Sequence, residues 1–378
     1  GAAKNALKAD SNVKLVAMGD VFDEQLKGSL NQLKKNGEVG SKVDVKPENC
    51  YVGFDAYKKV IEASDVVLLT TTPHFRPMHL KAAVEAGKHV FAEKPLAVDA
   101  PGVRSVIETA KLAKEKKLSL LVGFCFRYDF AKRETVKRIH DGAIGDVMAM
   151  HVNYLTGELW HRPIDAKFDT MEYQLRNWYY FNWLSGDHIV EQHCHNHDKA
   201  TWVMKGEMPV SAYGIGGRQK RTDPKWGNIF DHHTVVYEYK NGAKVFSLCR
   251  QMAGTRMFNE VSDHIFGTKG TALLNGNPAH TIISGGKTWN YDGPESDMYD
   301  QEHIEFFQAI RAGVPLNNGL EGANSTLMSI LGRMTTYTGQ KITWDMALNS
   351  KEDLSPAKYD WGHLPYAPVA VPGVTKFI

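Results

Sequence analysis

Four ionisable side chains between residues 185 and 204 have a spacing that could support acid–base chemistry. His188, Glu191, His195 and Asp198 follow one another at i, i+3, i+7 and i+10, so a continuous helix over this stretch would place them on one face. The apolar residues between them predict that the other side of this helix is buried. Because histidine titrates near neutral pH and can accept or return a hydroxyl proton, this face predicts an acid–base site.

A lysine after a short apolar stretch is the second candidate. Residues 89–92 predict a buried strand that runs into Glu93-Lys94-Pro95. In a parallel sheet, ligands bind at the carboxyl ends of the strands, where Lys94 would lie. Beside a bound nucleotide, a lysine can share a proton transfer when its pKa is lowered, or it can stabilise an alkoxide by its charge. Lys94 and His195 are therefore the predicted chemical centre.

The alternating histidines of the same stretch suggest a metal site as the alternative. His193, His195 and His197 could ligate zinc with Glu191 nearby. However, the HExxH motif is absent, and helical spacing turns His195 away from the other two histidines. We therefore expect no metal.

The elements that must position these side chains change character near residue 145. Before it, strand and helix patterns alternate, as in a doubly wound parallel sheet of the Rossmann type; strands are expected at 13–18, 65–70, 89–92 and 118–123. After it, strand patterns follow one another without helices, which predicts an α+β domain with a mostly antiparallel open sheet. These strands are expected at 147–154, 210–216, 233–239, 243–251 and 262–266.

The change of pattern divides the chain into three parts. We predict a dinucleotide-binding domain over 1–125, a substrate and oligomerisation domain over 126–325, and a segment over 326–378 that packs back on the first domain.

The start of the chain bears on nucleotide binding. A dinucleotide-binding fold opens with a strand that leads into G-x-G-x-x-G, but here Gly1 already stands at the start of a helix pattern. The first strand is therefore missing from the pattern, Gly1 would be the last glycine of that turn, and we expect further N-terminal residues in the natural gene product. Asp20 ends the next strand, where an acidic side chain binds the adenosine ribose and repels the 2′-phosphate of NADP, so NAD is favoured over NADP.

Composition excludes several classes of partner. The 378 residues carry a formal net charge of +2, which gives no reason to expect nucleic acid or an anionic membrane as a partner. No apolar run approaches the roughly 20 residues of a membrane helix. The four cysteines are widely spaced without a CxxC pair, so no disulfide framework is expected.

Three motifs together resemble the Gfo/Idh/MocA family of oxidoreductases. They are Glu93-Lys94-Pro95 after a strand, residues 142–147 at the change of pattern, and Glu191-x-x-x-His195-x-x-Asp198. The resemblance extends from Gly1 to the C-terminal region around 332–344. It implies a Rossmann domain, a second domain whose open sheet often forms oligomer contacts, and oxidation or reduction of sugars, inositols and their derivatives with NAD(P).

The resemblance also implies roles for particular residues. The candidate catalytic residues are Lys94, His195 and Glu191, which stands where the family more often has Asp. The candidate cofactor-binding residues are Gly1, Asp20, Thr70, Thr71, Pro73, His79, Glu93 and Lys94. The candidate substrate-binding residues are Arg127, Tyr179, Trp183, His188 and Asp198.

The leading interpretation is an NAD-dependent oxidoreductase that takes a hydride from a sugar, glycoside or polyol hydroxyl, with C3 of a glycoside as the sharper hypothesis. Two alternatives stay open: an NAD-assisted glycosidase that recycles its cofactor, and a non-catalytic sugar-binding protein on the same scaffold. We expect a carbohydrate substrate, a homo-oligomer (dimer or tetramer), and neither nucleic acid nor membrane as a partner. The compartment is cytoplasmic by default and periplasmic if an export signal precedes Gly1.

Overall fold

The computed structural model of the chain describes residues 1–254, 256–275 and 280–378. Its first part alternates helices and short parallel strands. In chain order these are α1 (Ala2–Ala9), β1 (Met18–Asp20), α2 (Asp23–Lys34), β2 (Cys50–Val52), α3 (Ala56–Ala63), β3 (Val66–Leu69), α4 (Arg76–Glu85), β4 (His89–Ala92), α5 (Ala100–Glu115) and β5 (Leu120–Val122).

The parallel strands form two ladders, β1–β2 and β3–β4–β5, and within the described ranges no pairing joins one ladder to the other. The strands β4 and β5 are almost wholly buried because helices pack against them, as expected for a doubly wound sheet. The side chain of Asp99 caps α5 by accepting the Gly102 N–H at 2.8 Å, which fixes the start of this helix just after the Glu93-Lys94-Pro95 turn. The predicted Rossmann-type domain is confirmed.

The strand that we expected at 13–18 is wrong over most of its length. Only Met18 lies in β1, and the preceding residues make a single bridge from Leu15 to Val43. The physical reason is the partner segment: it is extended only around Val43, where Leu15 makes two backbone hydrogen bonds, and 3-10 turns at 40–42 and 47–49 end the pairing on both sides.

The second part is built on one large sheet. Its elements are α6 (Phe130–His140), β6 (Val147–Thr156), α7 (Met171–Arg176), α8 (Asn182–Ser185), α9 (His188–Glu191), α10 (Cys194–Val203), β7 (Ser211–Gly217), β8 (His232–Glu238), β9 (Lys244–Gln251), β10 (Glu260–Gly267), β11 (Gly270–Asn275), β12 (Thr281–Ser284) and β13 (Lys287–Asn290). They are followed by α11 (Met298–Ala312), α12 (Gly319–Thr338), β14 (Ile342–Thr343) and α13 (Trp344–Asn349).

Among the described residues, nine strands form this sheet in the order β13-β12-β11-β10-β6-β9-β8-β7-β14, and of these pairs only β6–β9 is parallel. The helices α10 and α12 pack on one face. The other face keeps several large apolar side chains exposed. The predicted second domain with a mostly antiparallel open sheet is confirmed, and none of the described helices combines the length and apolar character needed to span a bilayer.

The continuous helix predicted over 185–204 is interrupted twice, which corrects our placement of four ionisable residues on one face. Gly186 and Asp187 adopt positive φ angles of 76° and 75°, so α8 ends before α9 begins. The Asp187 carboxylate accepts the Phe230 N–H at 2.8 Å and holds this bend in place. A second break follows α9, and His195 lies in the first turn of the separate helix α10.

The C-terminal residues contact both domains. The Leu354 N–H binds the Asp99 carboxylate at 3.0 Å in the first domain, whereas the Ala367 carbonyl accepts from the Asn228 side chain at 3.1 Å in the second. The domain boundaries that we drew at 125 and 325 stay a prediction.

Candidate active site

The end of β4 and the end of α9 bring together the first two predicted catalytic residues. The Lys94 ammonium donates to the Glu191 carbonyl at 2.6 Å and to Glu191 Oε1 at 3.1 Å, and both side chains are about nine-tenths buried. Burial alone would lower the pKa of Lys94, but the facing Glu191 carboxylate outweighs it and raises the pKa above its ordinary value. Lys94 is therefore a fixed cation, which favours the electrostatic role over the proton-sharing role.

His195 lies beside this pair at the start of α10. Its ring packs edge-on against Phe126 and Phe124, with centroids 5.0 and 6.1 Å away. Burial and the nearby charges of Lys94 and Lys199 lower the pKa of His195 well below its usual value. The imidazole is therefore neutral at physiological pH and can accept a proton.

Two polar atoms of this centre have no hydrogen-bond partner among the described residues. They are Oε2 of Glu191 and Nδ1 of His195, and both are buried. A buried polar atom without a partner is costly, and such atoms are kept mainly where a ligand supplies the missing bond. The three predicted catalytic residues thus form one cluster in which two polar atoms are free to bind a ligand.

Arg76 ties the Lys94 turn to the neighbouring strand end, and no local pattern in the sequence marks this residue. Arg76, the first residue of α4, is buried and donates to the Pro95 carbonyl and to the Thr71 carbonyl. It therefore holds the Lys94 turn and the loop after β3 at a fixed distance. Only a fold-level argument about arginine at a helix N-terminus between two strand ends could have identified it.

Two tyrosines also border the cluster. Tyr154, on β6, donates to the Gln192 side chain at 2.9 Å, just after Glu191. Tyr179 is buried, and its hydroxyl accepts from Gln251 at 3.0 Å. Tyr154 was missed by sequence reasoning because a tyrosine in a strand pattern has no distinguishing signal, whereas Tyr179 stays a predicted substrate contact.

Arg127 and Asp198 form a second ion pair, about one turn along α10 from His195. Asp198 is 1% exposed, and its two oxygens accept from Arg127 Nε and Nη2 at 2.8 to 3.1 Å; Ser325 adds a third donor at 2.8 Å. The pair fastens α10 to the segment that follows β5 and to α12. A substrate contact of Arg127 and Asp198 stays a prediction.

His188 lies at the bend before α9, and its Nε2 is buried without a hydrogen-bond partner among the described residues, so its predicted substrate contact stays a prediction. His188 is 1% exposed, and its Nδ1 lies 2.9 Å from Oδ1 of Asp187, whose other oxygen lies 3.3 Å from His233 Nε2. These three groups are close enough to hold a metal ion. However, the Asp187 carboxylate already accepts from two backbone N–H groups and, at 2.6 Å, from the Tyr337 hydroxyl, so it serves as the anchor of the chain bend.

Trp183 lies away from the Lys94 pair in an aromatic cluster. It is 9% exposed, its indole N–H donates to Gln174 at 2.7 Å, and its ring packs edge-on against His74. A role in substrate binding stays a prediction.

The predicted cofactor residues lie along the carboxyl ends of the parallel strands. Asp20 ends β1 and accepts the Phe22 N–H at 2.9 Å, while Thr70, which follows β3, is exposed. His79 and Pro73 are buried beneath the loop after β3, and the His79 ring lies 3.4 Å from the Thr71 hydroxyl. Glu93 follows β4 directly.

These residues fit a nicotinamide dinucleotide. The first turn of α1 has no side-chain cap and no acidic residue, so its free N–H groups suit a pyrophosphate, and Gly1 has open space around it. Asp20 provides the acidic acceptor that a ribose requires. When bound, the dinucleotide would be held by these groups near the Lys94 turn.

Two family models match the chain. The NAD-binding Rossmann-fold domain of the oxidoreductase family matches residues 14–124, and the GFO/IDH/MocA C-terminal domain matches residues 133–273. Together the two matches cover two thirds of the chain.

Several characterised relatives are inositol dehydrogenases. Inositol 2-dehydrogenase 3 of Saccharopolyspora erythraea is 26% identical over 66% of this chain and 67% of its own length. The inositol 2-dehydrogenase/D-chiro-inositol 3-dehydrogenase of Halalkalibacterium halodurans is 31% identical over 64% of this chain and 60% of its own length. For inositol 2-dehydrogenase of Azotobacter vinelandii, at 32% identity, the match spans 49% of the relative.

Solved structures share the fold. A putative oxidoreductase from Thermotoga maritima superposes with a TM-score of 0.71 at 16% identity, over 91% of this chain and 97% of the other. Myo-inositol 2-dehydrogenase from Lactobacillus plantarum gives 0.67 at 20% identity, over 90% and 94%. A levoglucosan dehydrogenase in complex with NADH and levoglucosan gives 0.68 at 16% identity, over 90% and 94%.

Proposed function

The chain belongs to the GFO/IDH/MocA family of NAD-binding oxidoreductases, and on that premise we propose that it is a dehydrogenase acting on a secondary hydroxyl of a sugar or polyol. The observation that carries this proposal is the cluster at the end of β4. It combines a fixed cation, a neutral imidazole and two buried polar atoms that lack partners within the described ranges.

Each group has a distinct part in the oxidation of a secondary alcohol. NAD supplies the hydride acceptor for the C–H bond that breaks. His195 takes the O–H proton of the substrate as a general base and passes it on to solvent. The Lys94 ammonium stabilises the negative charge that develops on the oxygen before the carbonyl forms. In the reductive direction the same groups act in reverse.

Glu191 holds Lys94 in place and keeps it charged. Its Oε1 faces the ammonium, whereas Oε2 is free to accept a hydrogen bond from a second hydroxyl of the substrate. A substrate with hydroxyls on adjacent carbons could meet His195 with one and Glu191 with the other. This requirement fits a cyclic polyol or a pyranose, and it agrees with the inositols named for several relatives.

The finer proposal is oxidation at C3 of a glycoside, whose neighbouring hydroxyls at C2 and C4 present the same arrangement. Absorbance of NADH at 340 nm should be followed with myo-inositol, free hexoses and methyl glucosides. We expect turnover with at least one of these. Turnover with methyl glucosides but not with free hexoses or myo-inositol would support the finer proposal, and sugar release without net NADH would instead favour the cofactor-recycling glycosidase.

A lysine variant tests the assignment of the site. Lys94→Met should lower kcat/KM by about 10²- to 10³-fold because it removes the cation at the developing alkoxide. Lys358→Met, at a surface lysine whose side chain is 78% exposed, is the matched control and should keep full activity. Equal activity of the two variants would show that the chemistry occurs elsewhere.

We also propose that the open sheet face contacts a second copy of the chain. Strand registers place Tyr213 opposite Val236, which faces Phe246 on the next strand, so these side chains share one surface. The exposed apolar residues on this face are Tyr213, Ile215, Phe246, Phe266 and Ile283. His151 and His264 lie between Phe246 and Phe266 and interrupt this apolar band. An exposed apolar band on an open sheet is characteristic of a protein–protein contact.

A further inference from the structure

A third ion pair, Lys199–Asp263, is fully buried behind His195, and the proposed proton transfer does not use it. Lys199 follows His195 by four residues on α10, so the two side chains share one face of the helix. The Lys199 ammonium contacts the Asp263 carboxylate of β10, and both side chains are fully buried. The Asn196 amide donates to the same carboxylate at 2.8 Å and fixes its orientation.

One aromatic ring connects this pair to the reactive imidazole. His195 packs edge-on against Phe126 with 5.0 Å between the centroids, and the Lys199 ammonium lies 4.8 Å from the centre of the same ring. The charge of Lys199 therefore lies about one ring away from the imidazole, with no water layer required between them. In such a setting a charge acts more strongly than it would in water.

The other charged groups on the elements around His195 are paired among themselves. Asp198 is bound by Arg127, and Lys132 of α6 is bound by Asp129 at 2.8 Å. The Glu191 carboxylate of α9 faces Lys94. The neighbouring polar residues from β6 and α12 carry no charge at neutral pH; they are Asn153, Tyr154, Ser325 and Ser329. The pKa of His195 is lowered first by burial and then by the charges of Lys94 and Lys199.

An ion pair that is fully buried at this place costs free energy, because both charges lose their hydration. Replacing a buried ion pair by apolar residues of similar size is often neutral or even stabilising, so packing alone does not explain Lys199 and Asp263. The position of Lys199 beside His195 explains the pair, because a positive charge near an imidazole disfavours its protonated form.

We propose that the Lys199–Asp263 pair is a positioning device of the proton-transfer site, which places a fixed positive charge behind His195 and keeps its imidazole neutral. The inference rests on the proposed function, since it assumes that His195 takes the substrate proton. The Asp263 carboxylate binds the Lys199 ammonium and fixes its direction, and Phe126 sets the distance. His195 is then held in its proton-accepting form from two sides, by Lys94 and by Lys199.

The sign of the effect follows from this arrangement. Without Lys199 the protonated imidazole is less disfavoured, so the pKa of His195 rises and the enzyme loses activity at a higher pH as the solution is acidified. The Asp263 carboxylate offsets part of the field of Lys199, so removal of the whole pair corresponds to an upward shift of about half a pH unit.

The test uses Lys199→Met/Asp263→Leu, which replaces the whole pair by apolar residues and leaves no unpaired buried charge. The His195 imidazole signal, assigned by its loss in His195→Gln, is followed by NMR from pH 9 to pH 4 in the full chain, because the pKa of His195 lies well below its usual value. We expect its titration midpoint, and the acidic limb of the kcat/KM profile, to move up by about half a unit. The activity plateau above pH 8 should stay near that of the wild type.

Lys132→Met is the matched control. The Lys132 ammonium lies 4.9 Å from the same Phe126 ring and is equally buried, but it is directed to Asp129. This variant should leave the His195 titration where it is in the wild type. An unchanged midpoint in the double variant, or the same shift in both variants, overturns the proposal.

The NMR titration also separates this inference from the proposed function. If the double variant shifts the His195 signal but no polyol or sugar is turned over by the wild type, the electrostatic device stands and the dehydrogenase assignment fails. If turnover occurs but the signal does not move, the device fails and the assignment stands.

Discussion

Two buried ion pairs flank helix α10, and they differ in how completely they are satisfied. Both Asp198 oxygens accept hydrogen bonds, from Arg127 and from Ser325. In the Lys94–Glu191 pair, by contrast, Oε2 of Glu191 has no partner in the part of the chain that the structure describes. The neighbouring His195 likewise has a free Nδ1 there.

The difference distinguishes a structural pair from a reactive one. Groups whose hydrogen bonds are all made within the protein stabilise one arrangement of the helices. Groups that keep a free acceptor next to a cation cost stability and are useful only if a ligand completes them. Variants of His195 and Asp198 test this contrast directly, and the largest effect is expected at His195.

The first prediction removes the free imidazole. His195→Gln should lower kcat by about 10²- to 10⁴-fold, because the general base is lost, while the melting temperature changes little. Steady-state NADH formation and thermal unfolding are measured on one preparation. His363→Gln, at a histidine whose side chain is 69% exposed, serves as the control and should behave as the wild type. If His195→Gln kept near-wild-type turnover, the free polar atoms beside Lys94 would not mark a reactive site, and the two ion pairs would not differ in function.

The second prediction removes the satisfied carboxylate. Asp198→Asn leaves the Arg127 guanidinium without its counter-charge and should cost about 3–5 kcal/mol of unfolding free energy, measured by urea denaturation. Activity per folded molecule should stay within about threefold of the wild type. A stable but inactive variant would mean that Asp198 takes part in the reaction after all.

The third prediction concerns buried histidines that lie outside the reactive centre. Burial is the largest cause that lowers the pKa of His74, His79 and His188 to about 4 and that of His197 to about 3. Between pH 6.5 and pH 5 the unfolded chain therefore binds protons that the folded chain does not, so stability falls as the pH falls.

These four residues together should cost about 5 kcal/mol of unfolding free energy by pH 5.5, relative to pH 7.5. Urea denaturation at both pH values measures the loss. The interval from pH 9 to pH 7.5 is the internal control. Histidines titrate little there in either the folded or the unfolded chain, so these groups should change the unfolding free energy little. Equal stability at pH 7.5 and 5.5 would contradict the neutral, buried state of these rings.

The fourth and smallest effect concerns the outer sheet face. Ile215→Asp places a charge in the exposed apolar band and should reduce the assembly to a smaller species in light scattering, with little loss of folding stability. Val374→Asp, at an equally exposed apolar residue of the C-terminal segment, should leave the mass unchanged. If both variants had the same mass in light scattering, the sheet face would not be part of the interface.

The fold class could be predicted from the sequence because it follows from periodicity over many residues. The change from alternating strands and helices to consecutive strands near residue 145 is a property of whole segments, and it does not depend on any single contact. The place of Lys94 followed from the same reasoning, since the end of a buried parallel strand is where a ligand binds.

The failures concern interactions between distant residues. The bend at Gly186 and Asp187 depends on a hydrogen bond to Phe230, more than 40 positions later, so the interrupted helix could not be read from the local pattern. Likewise, Asp198 looked like a member of the reactive face until Arg127 was found to occupy its carboxylate. Spacing identified which side chains could react but not which were already satisfied.

The central claim is that hydride transfer occurs at the His195 centre and not at the Arg127 pair. A polyol or glycoside that the wild type turns over, deuterated at its ring C–H positions and mixed with NAD and stoichiometric protein, tests it most directly through mass analysis of the NADH formed. The account predicts labelled NADH with the wild type and with folded Asp198→Asn, and at least 100-fold slower labelling with His195→Gln, in line with the loss of a general base. Labelling by His195→Gln at the wild-type rate would contradict it.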